Sequence, residues 1–202
     1  MNLYLVPNDI NKTVIMTADG VAKYRVATRR KFLVGPPLSQ IYRCATGPDS
    51  EDTLIGEVEW KRWSHPVVRS DRFDGTMREM ELKDFLYKLG RNHSTTRYFL
   101  GSNDKEYCWN TVKGVGCVLS DRNGKKEIAR LHCQALPDAY TGQEKWHIKV
   151  NPTSLDLDMI IITFVIVEKR RREQDESDKD DVEENPFKFE SGFDGGVGGG
   201  GL

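Results

Sequence analysis

The sequence predicts a mainly β fold: a closed barrel of about a dozen short antiparallel strands wound round one apolar C-terminal helix. Three observations point there. Residues 159–167 are apolar at every position except Thr163, so the run has no polar face at either the helical or the strand period and must be covered on all sides. Most of the preceding chain breaks into short β-prone stretches parted by turn signals, Asp19-Gly20 the clearest. A closed sheet is also the arrangement that leaves no open strand edge while burying a helix all round.

Taken in order, Leu3 to Val6 is a short apolar strand that stops at the turn Pro7-Asn8-Asp9. Thr13 to Ala18 and Val21 to Thr28 flank Asp19-Gly20, the dipeptide that supplies the positive φ angles of a tight hairpin. Phe32 to Val34 leads into Gly35-Pro36-Pro37, and Gln40 to Ala45 follows before the polar loop Gly47 to Asp52. Thr53 to Trp60 alternates, and Pro66 to Arg69 resumes after Ser64-His65. Beyond the turn at Phe73-Asp74-Gly75, Met77 to Leu89 carries two signals. Met80, Phe85 and Leu89 fit a helical stripe, while Met77 to Glu81 can pair as strand, which predicts a strand running into one short helix. Arg97 to Leu100, Glu106 to Lys113 and Val115 to Leu119 read as strands, and Asp121-Arg122-Asn123-Gly124 turns the chain into Glu127 to Cys133. Lys145 to Val150 alternates cleanly and ends at Asn151-Pro152.

The apolar run itself admits two readings. Ile160, Ile161, Ile162, Val165, Ile166 and Val167 are β-branched and favour strand, whereas the flanks favour helix. Ser154, Asp156 and Asp158 lie where an N-cap and an acid-rich first turn belong, and Lys169 to Arg172 where cations meet the negative end of the macrodipole. A central helix over residues 156–173 is therefore expected, roughly 27 Å long at about 1.5 Å per residue. Its core residues are Met159, Ile160, Ile161, Ile162, Phe164, Val165, Ile166 and Val167. Burying them contributes on the order of 12–24 kcal/mol before conformational entropy is subtracted. The uninterrupted apolar run is shorter than the roughly 20 residues a membrane span needs, so no transmembrane segment is expected.

Length and charge bound the domain organisation. The 202 residues suit one globular domain, residues 1–173, plus a tail, residues 174–202. The net charge of −1 hides an asymmetry, because residues 1–150 hold 24 Lys+Arg against 18 Asp+Glu while residues 151–202 hold 6 against 13. The tail is acidic and then Gly-rich (GGVGGGG over 195–201), a composition that supplies no core and predicts disorder. Four irregularly spaced cysteines and no N-terminal leader predict free thiols in a reducing compartment, hence an intracellular protein, cytoplasmic or peripheral to a membrane. The two glycosylation sequons, at Asn11 and Asn92, are then chance matches.

Four segments carry a resemblance. NLYLVPND (2–9), VIMTADGVAKYRV (14–26), LIGEVEW (54–60) and LDMIIITFVIVEKRRRE (157–173) resemble an uncharacterised domain family common in mushroom-forming fungi, domain of unknown function 6593. That likeness covers roughly residues 1–173. A barrel threaded by a C-terminal apolar helix, together with Leu155-Asp156-Leu157-Asp158, is similar to the superfamily of tubby C-terminal domains, LURP-one-related proteins and phospholipid scramblases. The resemblance implies a tubby-like barrel, and at superfamily distance phosphoinositide binding or lipid transfer; it transfers no functional residue to this chain.

Among candidate sites, Arg25, Arg29, Arg30 and Lys31 form the densest basic cluster, at a strand end and the turn after it. Guanidinium groups grip phosphate bidentately, so such a turn suits an anionic lipid headgroup. Lys61, Arg62 and Arg69, interleaved with Trp60, Trp63 and His65, add cations beside aromatics, the pairing found at membrane interfaces and on nucleic acid. The competing reading is an ordinary solvated surface. Asp156 and Asp158 are too few for a calcium site and read better as helix caps. Cys108, Cys117, His132 and Cys133 lack zinc-knuckle spacing, so no metal and no cofactor is expected. Gly114-Val115-Gly116 lacks the rest of a dinucleotide loop, and no nucleophile–base pattern occurs. The expectation is a monomeric, non-enzymatic binding module for an anionic membrane lipid or a protein, with no nucleic-acid role. The alternative is a structural or protein-interaction domain with no lipid role.

Overall fold

A computed structural model describes residues 1–30, 35–47, 49–61, 64–73, 75–90, 95–112, 116–135 and 144–183. Twelve antiparallel strands among them form one sheet: β1 (Asn2–Val6), β2 (Lys12–Met16), β3 (Ala22–Arg30), β4 (Pro37–Arg43), β5 (Thr53–Glu59), β6 (Val67–Ser70), β7 (Arg78–Glu81), β8 (Arg97–Leu100), β9 (Glu106–Val112), β10 (Gly116–Asp121), β11 (Glu127–Ala135) and β12 (Glu144–Val150). A short helix α1 (Leu82–Phe85) follows β7, and α2 (Leu157–Glu183) ends the described chain. The expected strand over residues 32–34 lies outside the described residues.

Strand order is β7-β6-β5-β4-β3-β2-β1-β12-β11-β10-β9-β8. Each pairing is therefore between sequence neighbours except one. β1 joins β12 with Leu3 opposite Ile148, and that seam unites two meanders into a single sheet. Local chemistry builds the hairpins. At the first, Gly20 adopts φ +82°, Gly20 N–H donates to Thr17 O at 3.0 Å and Thr17 N–H to Val21 O at 2.9 Å.

The sheet curls round α2. In the flat, β5 and β9 would lie eight strand spacings apart, about 38 Å at about 4.8 Å each. Yet both touch the same turn of the helix. A methyl placed on Gly56 of β5 would sit 3.2 Å from Ile162 Cγ1, and Trp109 of β9 donates its indole N–H to Thr163 Oγ1 at 2.9 Å. Covered from several directions, Met159 to Val167 are 0–5% exposed.

Closure of the barrel is not reached by hydrogen bonding, which corrects the sequence expectation. β7 and β8 end the sheet and do not pair with each other. Between them runs α1, whose Leu82 and Phe85 are buried, with Leu86 buried just beyond at the next helical position. Phe73, Phe85 and Phe99 form a file of rings with centroids 4.9 and 6.5 Å apart, so apolar packing fills the crossing where a ladder would otherwise run. Past α1, Tyr87 makes an isolated two-bond bridge to Tyr98 of β8.

At the entry of α2, Asp156 caps the helix: its Oδ1 accepts the Asp158 N–H at 3.2 Å and its carbonyl accepts the Ile160 N–H at 3.2 Å. The other end departs from expectation. α2 continues ten residues beyond Glu173, to Glu183, so Lys169 to Arg172 are mid-helix residues and the last turn holds no base. Residues 174–183 are mostly Gln, Glu, Asp and Lys, and Arg171 pairs with Asp175 one turn on at 2.5 Å. A nucleated helix propagates through such residues without a core. The remainder of the expected tail, 184–202, lies outside the described residues. By contacts the chain divides into two units, Met1–Lys169 and Arg170–Leu202. No helix among the described residues is long and apolar enough to cross a membrane.

Candidate functional site

Strand alternation sorts the side chains of β1, β2 and β3 into two faces. Leu3, Leu5, Thr13, Ile15, Tyr24 and Val26 are buried against the core, which leaves Tyr4, Val6, Lys12, Val14, Arg25, Ala27 and Arg29 on the outer face. The β2–β3 register sets Lys12 opposite Ala27 and Val14 opposite Arg25. A groove of about 480 Å³ follows this surface. Val6, Pro7, Val14 and Ala27 give it apolar walls, and Lys12, Arg25 and Arg29 border it with positive charge.

The cations differ in how far they are committed. Arg25 Nε and Nη2 donate to Asp52 Oδ2 at 3.2 and 2.9 Å, and its guanidinium lies 4.3 Å over the Tyr42 ring. The Ala45 N–H, followed by Arg25, holds the Asp52 carboxyl below its usual range. Arg25 is thus satisfied within the sheet. Lys12, Arg29 and Arg30 are exposed and make no ion pair among the described residues. Lys61 belongs elsewhere: it follows β5, two strands from β3, and with Lys83 and His65 it keeps the Glu81 carboxyl low, the Lys83 hydrogen bond being the main cause. Of the six predicted headgroup residues, then, Arg25 and Arg29 border the groove, Arg30 ends the same strand, and Lys61 stands apart. Lys31 and Arg62 lie outside the described residues. Lys12 was missed because it is a solitary lysine in the sequence and joins Arg29 only across a strand.

The strands β5, β6 and β7, two to four strands along the sheet from β3, carry Glu57, Glu59, Glu79 and Glu81 around Arg69, which pairs with Glu59 at 3.0 Å and Glu79 at 2.7 Å. Near the helix entry a separate polar knot is structural. The Tyr24 hydroxyl donates to Asp158 Oδ1 at 2.8 Å, while Arg43 and Arg72 stand 3.5 and 3.6 Å from Asp158 Oδ2. Burial, reinforced by Asp158, raises the Tyr24 hydroxyl far above its ordinary range, so it remains a donor. Among the described residues no group of three or more His, Cys, Asp or Glu is placed to hold a metal. All four cysteines are free thiols; Cys108 and Cys117 are buried, and Cys133 is exposed.

Residues 8–173 match the model of a family described as a family of unknown function. No curated protein and no solved structure matches the chain.

Proposed function

The chain belongs to the DUF6593 family of unknown function, and from that premise we propose that it is a non-enzymatic module that binds an anionic membrane lipid in the β1–β2–β3 groove. The observation that carries this reading is the pairing of apolar walls with uncommitted cations. Lys12 and Arg29 supply charge-assisted hydrogen bonds to a phosphate, and Val6, Pro7, Val14 and Ala27 receive the apolar part beside it. A curled sheet around a buried helix supports placing the domain in the tubby, LURP-one and scramblase superfamily, and the segment likeness supports an origin in mushroom-forming fungi. Action inside the cell, at a membrane surface and as a monomer, completes the proposal.

The test is co-sedimentation of the full chain with phosphatidylcholine, phosphatidylserine and phosphoinositide vesicles at low and physiological salt. Binding to the anionic vesicles that weakens with salt, and that falls about tenfold or more in Lys12→Glu/Arg29→Glu, supports the groove. Unchanged binding in that variant, or no binding to any vesicle, overturns it. The second reading, a protein-interaction domain, is favoured by the acidic β5–β7 face; there, Glu57→Lys/Glu79→Lys would abolish a pull-down partner that the groove variant keeps.

A further inference from the structure

On the outer face of the other meander, His132 of β11 stands directly opposite His147 of β12. Their neighbours Leu131 and Ile148 are fully buried, so alternation turns both imidazoles outward. The two rings are 5.3 Å apart and only 13° from parallel. Behind His147, the Tyr4 ring packs at 5.2 Å and leaves it 7% exposed. One imidazole is thus clamped between two rings, and the other is half-buried.

We propose that His132 and His147 form a two-imidazole site for a late first-row divalent cation, Zn²⁺ or Ni²⁺. Imidazole is the ligand such ions prefer, and cross-strand placement presents two donors from a rigid base. Tetrahedral zinc with N ligands at about 2.0–2.1 Å holds two nitrogens roughly 3.3 Å apart. Imidazole lone pairs lie in the ring plane, so binding requires His132 to turn out of the stack until its nitrogen converges with that of the clamped His147. Water fills the remaining positions, so the site is an open one rather than a closed structural cage. Arg130 and Lys149 face each other across the same two strands, each two residues from a histidine; Arg130 is offset by Glu127 at 2.5 Å. Lys149 sets an upper limit on affinity.

Isothermal titration of the full chain with zinc chloride, and separately nickel chloride, tests the assignment. Thiol binding is removed beforehand by Cys44→Ser/Cys133→Ser. One equivalent should bind, weaken about tenfold or more in His132→Gln, and persist in His65→Gln/His93→Gln. Histidine ring signals in NMR give a reading on the unmutated chain, in which two of the four spin systems should shift or broaden at one equivalent of zinc. Equal affinity in His132→Gln, no saturable binding, or shifts confined to the other two histidines would each overturn the site.

Discussion

Replacing Thr163 with Val keeps nearly the same shape in a fully buried position and removes one hydroxyl. That hydroxyl donates to Met159 O at 2.7 Å and accepts the Trp109 indole N–H at 2.9 Å. Met159 O loses a secondary donor, a small effect. The indole N–H loses its acceptor inside a site where Trp109 is also fully buried, and an orphaned buried donor costs about 1–3 kcal/mol. About 2 kcal/mol is therefore expected, a fall in melting temperature of roughly 4–8 °C for a chain of this size. A control isolates the cause: in a Trp109→Phe background there is no N–H to orphan, and Thr163→Val should then cost less than about 0.5 kcal/mol. Guanidinium unfolding of the four proteins, followed by far-UV circular dichroism, measures the coupling. A Thr163→Val cost that is the same in both backgrounds would refute the placement of β9 against this turn of the helix.

Two further perturbations probe other parts of the structure. Gly56→Ala puts a methyl 3.2 and 3.3 Å from Ile162 Cγ1 and Cδ1, an overpacking worth about 1–3 kcal/mol. Ile162→Val alone costs about 0.5–1.5 kcal/mol. The double variant should be more stable than the sum by about 1 kcal/mol, and strict additivity in urea unfolding would mean that β5 does not pack there. At alkaline pH the tyrosines report: burial raises Tyr24, and burial with the Glu106 hydrogen bond pushes Tyr87 up to about 12. The fold favours both neutral hydroxyls, so their stabilisation is complete below about pH 10, where unfolded tyrosine ionises, and declines as pH rises above it. Tyr24→Phe and Tyr87→Phe should each flatten the decline in stability between pH 10 and 12; slopes identical to wild type would contradict the buried-donor assignment.

Local structure was readable because its signals are local. Asp19-Gly20 marks its hairpin through backbone conformation alone, and Met77 to Leu89 resolves into β7 and α1 because its apolar spacing changes from strand to helical along the stretch. The run 159–167 predicted a buried helix through its flanks, with Asp156 now seen as the cap. What depends on distant partners stayed hidden. Arg25 looked like one of a basic cluster until Asp52, 27 residues on, claimed it. Lys12 and Arg29 gather round one groove only through the β2–β3 register, which contiguous charge counting does not see. The helix end was misplaced because absence of a core was equated with absence of structure. Closure was overestimated because strand counting says how many strands exist, not whether the first and last can meet when α1 lies between them.

The open crossing between β7 and β8 gives the sheet two seams of opposite kind. At β1–β12, hydrogen bonds join strands that no short piece of chain connects; at β7–β8, the chain connects strands that no ladder joins. A cut in the second seam severs no ladder. The two pieces, one carrying β1 to β7 and the other β8 to α2, would still share the β1–β12 ladder and the buried helix, which makes this crossing the natural place to divide the domain into complementing halves.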